Sequence, residues 1–286
     1  MSRPGTVTIL THQAAHETSP GVCRVIDDLI EAGVTVRVDA DEEAKHGLEA
    51  RDGLVLGAKP EDDGTDVALV LGGDGTILRA MRTFAGRDVP VFSFNFGAIG
   101  FLATVEREEL DEGIRRVIEG DYELLPMPAL GIEVRGARHI GVNDISFHRR
   151  ANNRVAELAY SVGADQLGSV RCDGLVASTP AGSTGYNLAN GGPVLAWGVE
   201  GFVVSFIAPH TLTARALVVA TDAVLTVHNR SANEPVDVTT DGRILCDLPP
   251  GSEMDVRFEP NKVLLAQRPG SNFYHRLREK FGRLAY

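Results

Sequence analysis

Short apolar runs alternate with helical patterns over the first part of the chain. The runs are rich in β-branched residues and lie at 6–10, 34–38, 67–71 and 89–94. Patterns with helical spacing lie between several of them. Near-continuous apolar strands separated by helices are typical of a parallel sheet that is covered on both faces. This part of the chain is therefore predicted to be an α/β domain.

The clearest helical pattern follows the first apolar run. Ser19 is the predicted N-cap, Pro20 occupies the first helical position, and Gly33 lies just beyond the end. The apolar residues between these signals recur at helical spacing and form one stripe, consisting of Val22, Val25, Ile26, Leu29 and Ile30. The stripe is expected to be buried.

The pattern changes after a second amphipathic helix, which is predicted over 105–122. Strands then recur with turn dipeptides, namely Asp241-Gly242, Pro249-Pro250-Gly251 and Pro260-Asn261. Helical spacing returns at the end, with Phe273, Leu277 and Phe281 on one face. The predicted organisation is an α/β domain over 1–122, an all-β, sandwich-like domain over 123–268, and a C-terminal helix over 269–286 that packs on the first domain.

Composition narrows the possible functions. The 286 residues are 43% hydrophobic, which is enough for one large core or two smaller ones. No 18-residue apolar stretch and no signal-peptide pattern occur, so a cytoplasmic protein is expected. The formal charge of −11 argues against nucleic-acid or anionic-membrane partners, so any anionic ligand must be held by local groups. Cys23, Cys172 and Cys246 are widely spaced and indicate neither a disulfide framework nor a zinc site.

One glycine-rich loop, residues 72–76, carries a candidate chemistry. Its sequence Gly-Gly-Asp-Gly-Thr follows an apolar run and precedes a helical pattern. Backbone N–H groups at such a strand-to-helix junction bind phosphates, so a phosphate loop is predicted at Gly72, Gly73, Gly75 and Thr76. The loop is not a Walker A motif, and it is a poor dinucleotide fingerprint because Leu78 stands where the third glycine is needed.

Asp74 is out of place in a loop built only to hold phosphate, because its carboxylate would repel the ligand. It has a use if it accepts a proton from a hydroxyl that attacks the phosphate, or if it helps to position a metal ion. The combination indicates phosphoryl transfer. The alternative is structural, with Asp74 capping the following helix and the glycines forming a tight turn.

Longer motifs support a resemblance to a known family. The sequence GGDGT is shared by NAD kinases, by diacylglycerol and sphingosine kinases and, approximately, by phosphofructokinases. Further segments resemble NAD kinases in order and approximate spacing: NFGAIGFLA (95–103), VNDISF (142–147), CDGLVASTPAGSTGYNLANGGPVL (172–195) and APHTLTARALVV (208–219). With the tail NFYHRLREKFG, the resemblance covers nearly the whole chain.

The resemblance implies a phosphotransferase of two domains with NAD between them, commonly assembled as homodimers or homotetramers. The 2′-hydroxyl of the adenosine ribose of NAD would attack the terminal phosphate of ATP, or of polyphosphate, and NADP would form. Asp74 would be the proton acceptor. Mg²⁺ is expected to bridge the phosphates through water and phosphate oxygens, so no side-chain ligands are predicted.

The resemblance also implies an NAD-binding set: Asp74, Gly75, Asn143, Asp144, Arg154, Arg171, Asp173, Thr184, Gly185, Tyr186, Asn187, Leu188, Ala189, Ala208 and Arg243. The chemistry of several members agrees with this role. Asn143 and Asp144 can bind the vicinal diol of a ribose, although Asn-Asp is also a common turn pair. Tyr186 can stack on adenine or nicotinamide, although it can equally be a core tyrosine beside a turn.

Three positions depart from the family pattern. Asp144 stands where glutamate is expected, Ala98 replaces a basic residue, and Gly185 replaces alanine. These changes bear on affinity, on the choice between NAD and NADH, and on the phosphate donor. Two other functions remain open at this point, a lipid kinase that shares the glycine loop and a nucleotide-binding sensor with little turnover. His210 lies near the predicted site, but a lone histidine is more often structural than catalytic.

Overall fold

The computed structural model describes residues 2–60, 62–97, 100–150 and 154–282. The chain forms two compact units. The first comprises Met1–Pro126 together with Val263–Tyr286, and the second comprises Met127–Lys262. Both ends of the chain therefore belong to the first unit.

The helices and strands are numbered in chain order. The helices are α1 Ala15–Glu31, α2 Ala40–His46, α3 Asp74–Thr83, α4 Leu110–Glu119, α5 Tyr186–Ala189 and α6 Phe273–Phe281. The strands up to residue 149 are β1 Thr6–Thr11, β2 Thr35–Arg37, β3 Leu54–Val55, β4 Val67–Gly72, β5 Pro90–Asn95, β6 Val105–Glu106, β7 Glu123–Val134, β8 Ala137–Gly141 and β9 Asp144–Arg149. The later strands are β10 Ala156–Val162, β11 Asp165–Cys172, β12 Gly174–Ser178, β13 Gly201–Ile207, β14 Leu217–Ala220, β15 Leu225–Asn229, β16 Val236–Thr240, β17 Arg243–Leu248 and β18 Glu253–Gln267.

The first unit contains the predicted parallel sheet. Its strands lie in the order β18-β5-β4-β1-β2-β3, with β6 beside β5. These pairings are parallel, and β18 contributes Leu264 and Leu265 at the edge of β5. Parallel neighbours place the carboxyl ends of β1, β4 and β5 at one edge of the sheet, which is where loops of such sheets bind ligands.

Helices cover both faces of this sheet, as the sequence predicts. One cluster packs α1 and α4 against side chains of the strands, including Ile9, Leu69 and Phe94. The opposite strand positions are also buried, and α3 buries Ile77 and Met81 while it contacts β4, β5 and β1. Burial on both faces explains why β4 reads as a continuous apolar run.

The start of α1 differs from the prediction. The helix begins at Ala15 and contains Pro20 in its second turn, whereas the sequence predicts Ser19 as N-cap and Pro20 as the first helical residue. The Ser19 hydroxyl donates to the Ala15 carbonyl (2.9 Å) and lies 2.8 Å from Nδ1 of His46. Ser19 therefore satisfies its hydroxyl within the helix and against α2, so it does not act as a cap.

The second amphipathic helix is shorter than predicted. The pattern over 105–122 divides into strand β6, a 3₁₀ turn at Arg107–Glu109 and helix α4. Val105 pairs with Phe94 at the edge of the sheet, which takes the beginning of the segment out of the helix. Gly120 ends α4 in the left-handed conformation that favours glycine.

The second unit is the predicted β-sandwich. One sheet has the order β14-β13-β12-β9-β16-β17, and the other contains β11-β10-β15-β18 together with β7 and β8. Alternate residues of both sheets form one apolar cluster that includes Phe147, Leu158, Leu175 and Phe202. Two sheets that share a core of alternating side chains define a sandwich.

The turns of the second unit follow the sequence in part. Asp241 and Gly242 join β16 to β17 in a two-residue turn, and both residues have positive φ (45° and 76°), as a type I′ hairpin requires. The predicted turn at Pro260-Asn261 is wrong, because both residues lie within the continuous strand β18. Asn261 has φ 50°, so the strand accommodates the dipeptide as a local irregularity.

Helix α6 belongs to the first unit, as predicted. Phe273 and Leu277 are buried, and the ring of Phe273 stacks on Phe101 with centroids 6.4 Å apart. Asn272 caps the helix by accepting a hydrogen bond from the His275 N–H (2.9 Å).

Candidate active site

The Gly-Gly-Asp-Gly-Thr loop joins the carboxyl end of β4 to the beginning of α3. Gly72 ends the strand, Gly73 is the N-cap and Asp74 is the first helical residue. Gly72 pairs with Asn95 of β5, which places the loop at the carboxyl edge of the parallel sheet. The first N–H groups of a helix lack intrahelical acceptors and carry the positive end of the helix dipole. This location suits a phosphate group.

The Asp74 carboxylate is held by the backbone of a neighbouring loop. Oδ2 accepts the N–H of Phe101 (2.9 Å), and Oδ1 accepts the N–H of Leu102 (3.2 Å). A Cβ atom at Gly100 would lie 2.0 Å from Oδ1, so this close approach requires glycine. Asp74 is not the N-cap, since Gly73 holds that position, and the structural alternative of a capping aspartate is not observed.

The loop leaves room for a ligand at Gly75. A Cβ atom placed on Gly75 would meet nothing within 4 Å, so no packing inside the molecule demands glycine there. Thr76 is buried, and its N–H donates to the Gly73 carbonyl (2.9 Å). The backbone that follows Asp74 therefore has open space at Gly75, whereas a hydrogen bond fixes it at Thr76.

Asn95 is a buried polar residue at the same sheet edge that the sequence analysis does not single out. Its Nδ2 donates to Oε2 of Glu106 (2.8 Å), and its Oδ1 accepts the N–H of Gly97 (3.1 Å). These bonds fix the turn that leads from β5 toward the loop at 100–102. Asn95 is the first residue of the segment NFGAIGFLA, and its place in that segment is the feature of the sequence that could have indicated it. Ala98 of the same segment lies outside the described residues.

In the second unit, Asn143 and Asp144 lie at the start of β9. The backbone N–H groups of Val142, Asn143 and Asp144 all donate to the carboxylate of Asp241, at 3.1, 2.7 and 3.1 Å. Asp241 has φ 45°, a conformation that is uncommon for a residue other than glycine. The hairpin turn thus holds the backbone of the two residues that are predicted to bind the ribose. Asp241 is a second residue whose role the sequence alone did not indicate.

Asp144 is buried and Asn143 is partly buried, with its amide oxygen shielded from solvent. Oδ1 of Asn143 has no hydrogen-bond partner among the described residues. Asp144 is only 7% exposed, and burial, followed by the nearby charge of Asp241, raises its pKa to about 7. Buried polar atoms without partners are rare in proteins and indicate a ligand or solvent that completes them. Both side chains can accept a hydrogen bond from a sugar hydroxyl.

The segment 182–189 lies against this pair. The Thr179 N–H donates to the Asn143 carbonyl (2.9 Å), and a Cβ atom at Gly182 would lie 2.1 Å from the same oxygen. Asn187 is fully buried, donates through Nδ2 to the carbonyls of Ser183 and Pro193, and leaves Oδ1 without a partner among the described residues. Gly182 therefore packs on the backbone of Asn143, and the three polar residues of these neighbouring segments, Asn143, Asp144 and Asn187, are called the polar cluster below.

Tyr186 is partly exposed, and it is not the core tyrosine of the alternative interpretation. Its side chain is 37% exposed, and its ring stacks on His148 with centroids 5.6 Å apart and planes 11° apart. Burial raises the pKa of Tyr186, and the negative charges of Asp144 and Asp173 add to the effect. His148, whose Nε2 lies 2.8 Å from the Ser146 hydroxyl, is a further residue that the sequence did not indicate.

The remaining predicted residues are distributed around the second unit. Asp173 forms an ion pair with Arg149 (2.5 Å), which the sequence analysis did not name. Ala208 follows β13 with φ 43°, an unusual value for alanine. Several predicted residues are exposed or partly exposed: Arg154, Arg171, Arg243, Thr184, Gly185, Leu188 and Ala189. The structure records no contact that joins Arg154 or Arg243 to the polar cluster.

Comparisons with known proteins identify both units. The model of the ATP-NAD kinase N-terminal domain matches residues 7–122, and the model of the ATP-NAD kinase C-terminal domain matches residues 142–267. The chain belongs to the NAD kinase family.

Curated relatives agree with this membership. An NAD kinase of Gemmatimonas aurantiaca is 36% identical over 228 residues, which cover 78% of this chain and 79% of the relative. NAD kinase 2 of Streptomyces coelicolor is 33% identical over 286 residues, which cover 98% and 95%. The predicted function and enzyme class are therefore confirmed at the level of the family: the chain is an NAD kinase, a phosphotransferase.

A solved structure shows the same fold. The crystal structure of yeast NADH kinase complexed with NADH superimposes with a TM-score of 0.87 at 23% identity, over 100% of this chain and 91% of that chain. The likeness confirms the α/β domain with a parallel sheet and the β-sandwich of NAD kinases.

Within 2–60, 62–97, 100–150 and 154–282, no group of three or more histidine, cysteine, aspartate or glutamate side chains is arranged to hold a metal ion. No helix in these same ranges is long and apolar enough to cross a membrane.

Proposed function

We propose that this NAD kinase transfers the terminal phosphate of ATP to the 2′-hydroxyl of the adenosine ribose of NAD, with Asp74 as the proton acceptor. One observation carries this proposal above the others. Asp74 is the first residue of α3 at the carboxyl edge of the parallel sheet, and two backbone N–H groups fix its carboxylate there. A helix N-terminus can bind a phosphate, and a carboxylate fixed beside it can accept a proton. The two groups that the reaction needs therefore lie side by side.

The polar cluster of the second unit supports the binding of the ribose. Asp144 is buried and Asn143 is partly buried, and the buried amide oxygen of Asn143 lacks a partner among the described residues. A vicinal diol supplies two hydroxyl donors for such acceptors, so the ligand would satisfy atoms that the protein alone leaves unpaired. The remaining members of the predicted NAD-binding set are proposed to line the rest of the dinucleotide, with Tyr186 against one of its rings.

Phosphoryl transfer of this kind depends more on positioning than on a strong base. The transition state is loose, with negative charge spread over the oxygens of the phosphoryl group, and the attacking hydroxyl loses its proton late. The N–H groups at the start of α3 can stabilise that charge, while Asp74 orients the hydroxyl and takes its proton. Gly75 leaves the space that the phosphate needs.

A divalent cation is proposed to accompany ATP. Mg²⁺ usually keeps several water ligands and binds substrate phosphates, so no side chain is proposed as its ligand. Mg²⁺ would neutralise the phosphates and align them. The name of the family models includes ATP, which supports ATP as the donor. Polyphosphate, the use of NADH, a homo-oligomeric assembly and a cytoplasmic location stay predictions.

The decisive experiment is Asp74→Asn, which keeps the shape of the side chain and removes the proton acceptor. We expect kcat to fall by about 10²-fold or more, the usual contribution of a positioned base, while the Kd for NAD changes little. A coupled assay for NADP with ATP and Mg²⁺ measures the first quantity, and isothermal titration measures the second.

Asp111→Asn serves as the control, because this exposed carboxylate belongs to the same unit and lies on α4. It should leave both quantities unchanged. An Asp74→Asn variant that keeps normal turnover would exclude Asp74 as the proton acceptor. Wild-type protein that binds NAD but forms no NADP with ATP or with polyphosphate would instead favour the sensor.

A further inference from the structure

Arg276 of α6 is a mostly buried arginine whose guanidinium binds the loop around residue 102. Its Nη1 donates to the carbonyl oxygens of Phe101 (2.9 Å) and Ala103 (2.5 Å). Its Nη2 donates to Oε1 of Gln267 (2.7 Å), and both Nε and Nη2 lie 3.3 Å from the hydroxyl of Ser271. One side chain therefore ties the C-terminal helix to the backbone at Phe101 and Ala103.

The same stretch of backbone holds Asp74. The carbonyl of Phe101 and the N–H of Leu102 belong to one peptide group. The carbonyl accepts from Arg276, and the N–H donates to Oδ1 of Asp74 (3.2 Å). This single planar peptide lies between a cation and an anion, so each hydrogen bond polarises the group in the sense that strengthens the other.

We propose that Arg276 is a positioning residue for the phosphoryl transfer, acting on Asp74 through the Phe101–Leu102 peptide. The inference rests on the proposed function, in which Asp74 is the proton acceptor. In this arrangement the guanidinium fixes the orientation of the peptide, and the peptide fixes the carboxylate. Removing Arg276 allows the peptide to rotate, and Asp74 then loses the alignment that the reaction requires.

The electrostatics of the buried arginine agree with this role. Burial lowers the pKa of Arg276, and the negative charges of Asp74, Glu279 and Glu106 offset part of that effect. Arginine remains charged in proteins, so its burial here is sustained by partners. Lysine has a single nitrogen and cannot reach both carbonyls, Gln267 and Ser271 in the same fixed geometry.

The first test compares Arg276→Ala and Arg276→Lys with Arg278→Ala. Arg278 lies two residues further along α6 and is exposed, so it is a matched control. We expect Arg276→Ala to lower kcat at least tenfold with little change in the Kd for NAD, and Arg276→Lys to fall between it and the wild type. Arg278→Ala should remain within about twofold of the wild type. Equal activity in all three variants would overturn the inference.

A double-mutant cycle separates positioning from a general structural effect. If Arg276 acts through Asp74, Arg276→Ala should lower the residual kcat of Asp74→Asn by less than about twofold, because the alignment that it maintains has already lost its function. An equal loss in both backgrounds would overturn the inference and leave the proposed function intact. Normal turnover of Asp74→Asn alone would instead overturn the role of Asp74.

Chemical rescue tests whether the guanidinium group itself supports turnover. A cavity of about 500 Å³ borders Arg276, and it is lined in part by Ser271, His275 and Glu279. Guanidinium ion at millimolar concentration should enter this space and restore part of the kcat of Arg276→Ala, but not that of Asp74→Asn. If Arg276→Ala does not fold, hydrogen exchange over 100–104 in Arg276→Lys decides, with faster exchange expected than in Arg278→Ala. Absence of both rescue and faster exchange would contradict the inference.

Discussion

At the scale of single residues, Asp144 and Asp241 bring two carboxyl groups close together in the second unit. The carboxylate of Asp241 accepts hydrogen bonds from three backbone N–H groups. Asp144 is buried beside it, and burial, together with the charge of Asp241, raises the pKa of Asp144 to about 7. The two identical side chains therefore have different surroundings: Asp241 is held by backbone hydrogen bonds, whereas Asp144 is buried and its pKa is raised.

The first prediction concerns stability as a function of pH. In the unfolded chain Asp144 ionises near pH 4, whereas in the folded protein it keeps its proton until about pH 7. Ionisation therefore favours unfolding progressively as the pH rises from about 4 to about 7, and the effect is constant above that range. Asp144→Asn should raise the free energy of unfolding at pH 8 by about 2–4 kcal/mol and change it little at pH 4, as measured by urea unfolding without ligand.

The control for this prediction is Asp222→Asn, which changes an exposed aspartate of the same unit. It should shift the unfolding free energy by less than about 0.5 kcal/mol at either pH. An Asp144→Asn variant with the same effect at pH 4 and pH 8 would show that the carboxyl group titrates normally.

Some residues of the candidate site can be recognised from the sequence and others cannot, and the reason is their separation along the chain. Asp74, Asn143 and Asp144 stand in contiguous motifs, so their spacing alone indicates chemistry. The groups that support them come from distant positions: Phe101 lies 27 residues from Asp74, and Arg276 lies 175 residues from Phe101. A pattern of residue types along the chain carries no information about such pairs until the fold brings them together.

At the scale of elements, α1 shows that tertiary contacts can override the local sequence signals for where a helix begins. Ser-Pro followed by an apolar stripe predicts a helix start, yet the helix extends back to Ala15. The additional turn buries Thr18 and brings Ser19 to His46, contacts that no local signal contains. The strands and the sandwich could be predicted, because burial on one or both faces of a strand determines how its apolar residues repeat along the sequence.

The second prediction tests this helix. Pro20 is exposed and lies in the sixth position of α1, where it removes a backbone N–H and crowds the preceding turn. Pro20→Ala should therefore raise the free energy of unfolding by about 1–3 kcal/mol, measured by urea or thermal unfolding. A helix that began at Ser19 would place Pro20 in its favourable first position, and the same substitution would then be destabilising.

The control for the helix prediction is Pro249→Ala, at an exposed proline in the turn between β17 and β18. It measures the entropy that the unfolded chain gains when a proline is lost, and it should lower the stability by less than about 1 kcal/mol. The difference between the two variants then isolates the effect of proline inside the helix.

At the scale of the whole molecule, the net negative charge of the protein repels the proposed substrates. The chain carries a formal charge of −11, and both proposed substrates are anions. A long-range field of this sign slows the approach of ATP, so binding relies on short-range groups such as the N–H groups at the start of α3. Salt screens the repulsion over a Debye length of about 10 Å at 0.1 M and affects close contacts less.

The third prediction follows from this balance. Raising KCl from about 10 to 150 mM, at constant free Mg²⁺, should raise kcat/KM for ATP by about twofold or leave it unchanged, because screening removes more repulsion than attraction. Initial rates of NADP formation at a series of ATP concentrations measure the effect. A steady decrease in kcat/KM over the same range would show that a local positive field dominates the approach instead.

The hairpin turn at Asp241 has one more consequence. Three consecutive N–H groups usually form a concavity that captures a free anion from solution, but here a covalently attached counter-ion already fills it. A dissolved phosphate or chloride therefore cannot occupy that concavity. Exchanging this one loop residue would change the electrostatic surroundings of Asp144 while leaving the side chains of Asn143 and Asp144 themselves in place.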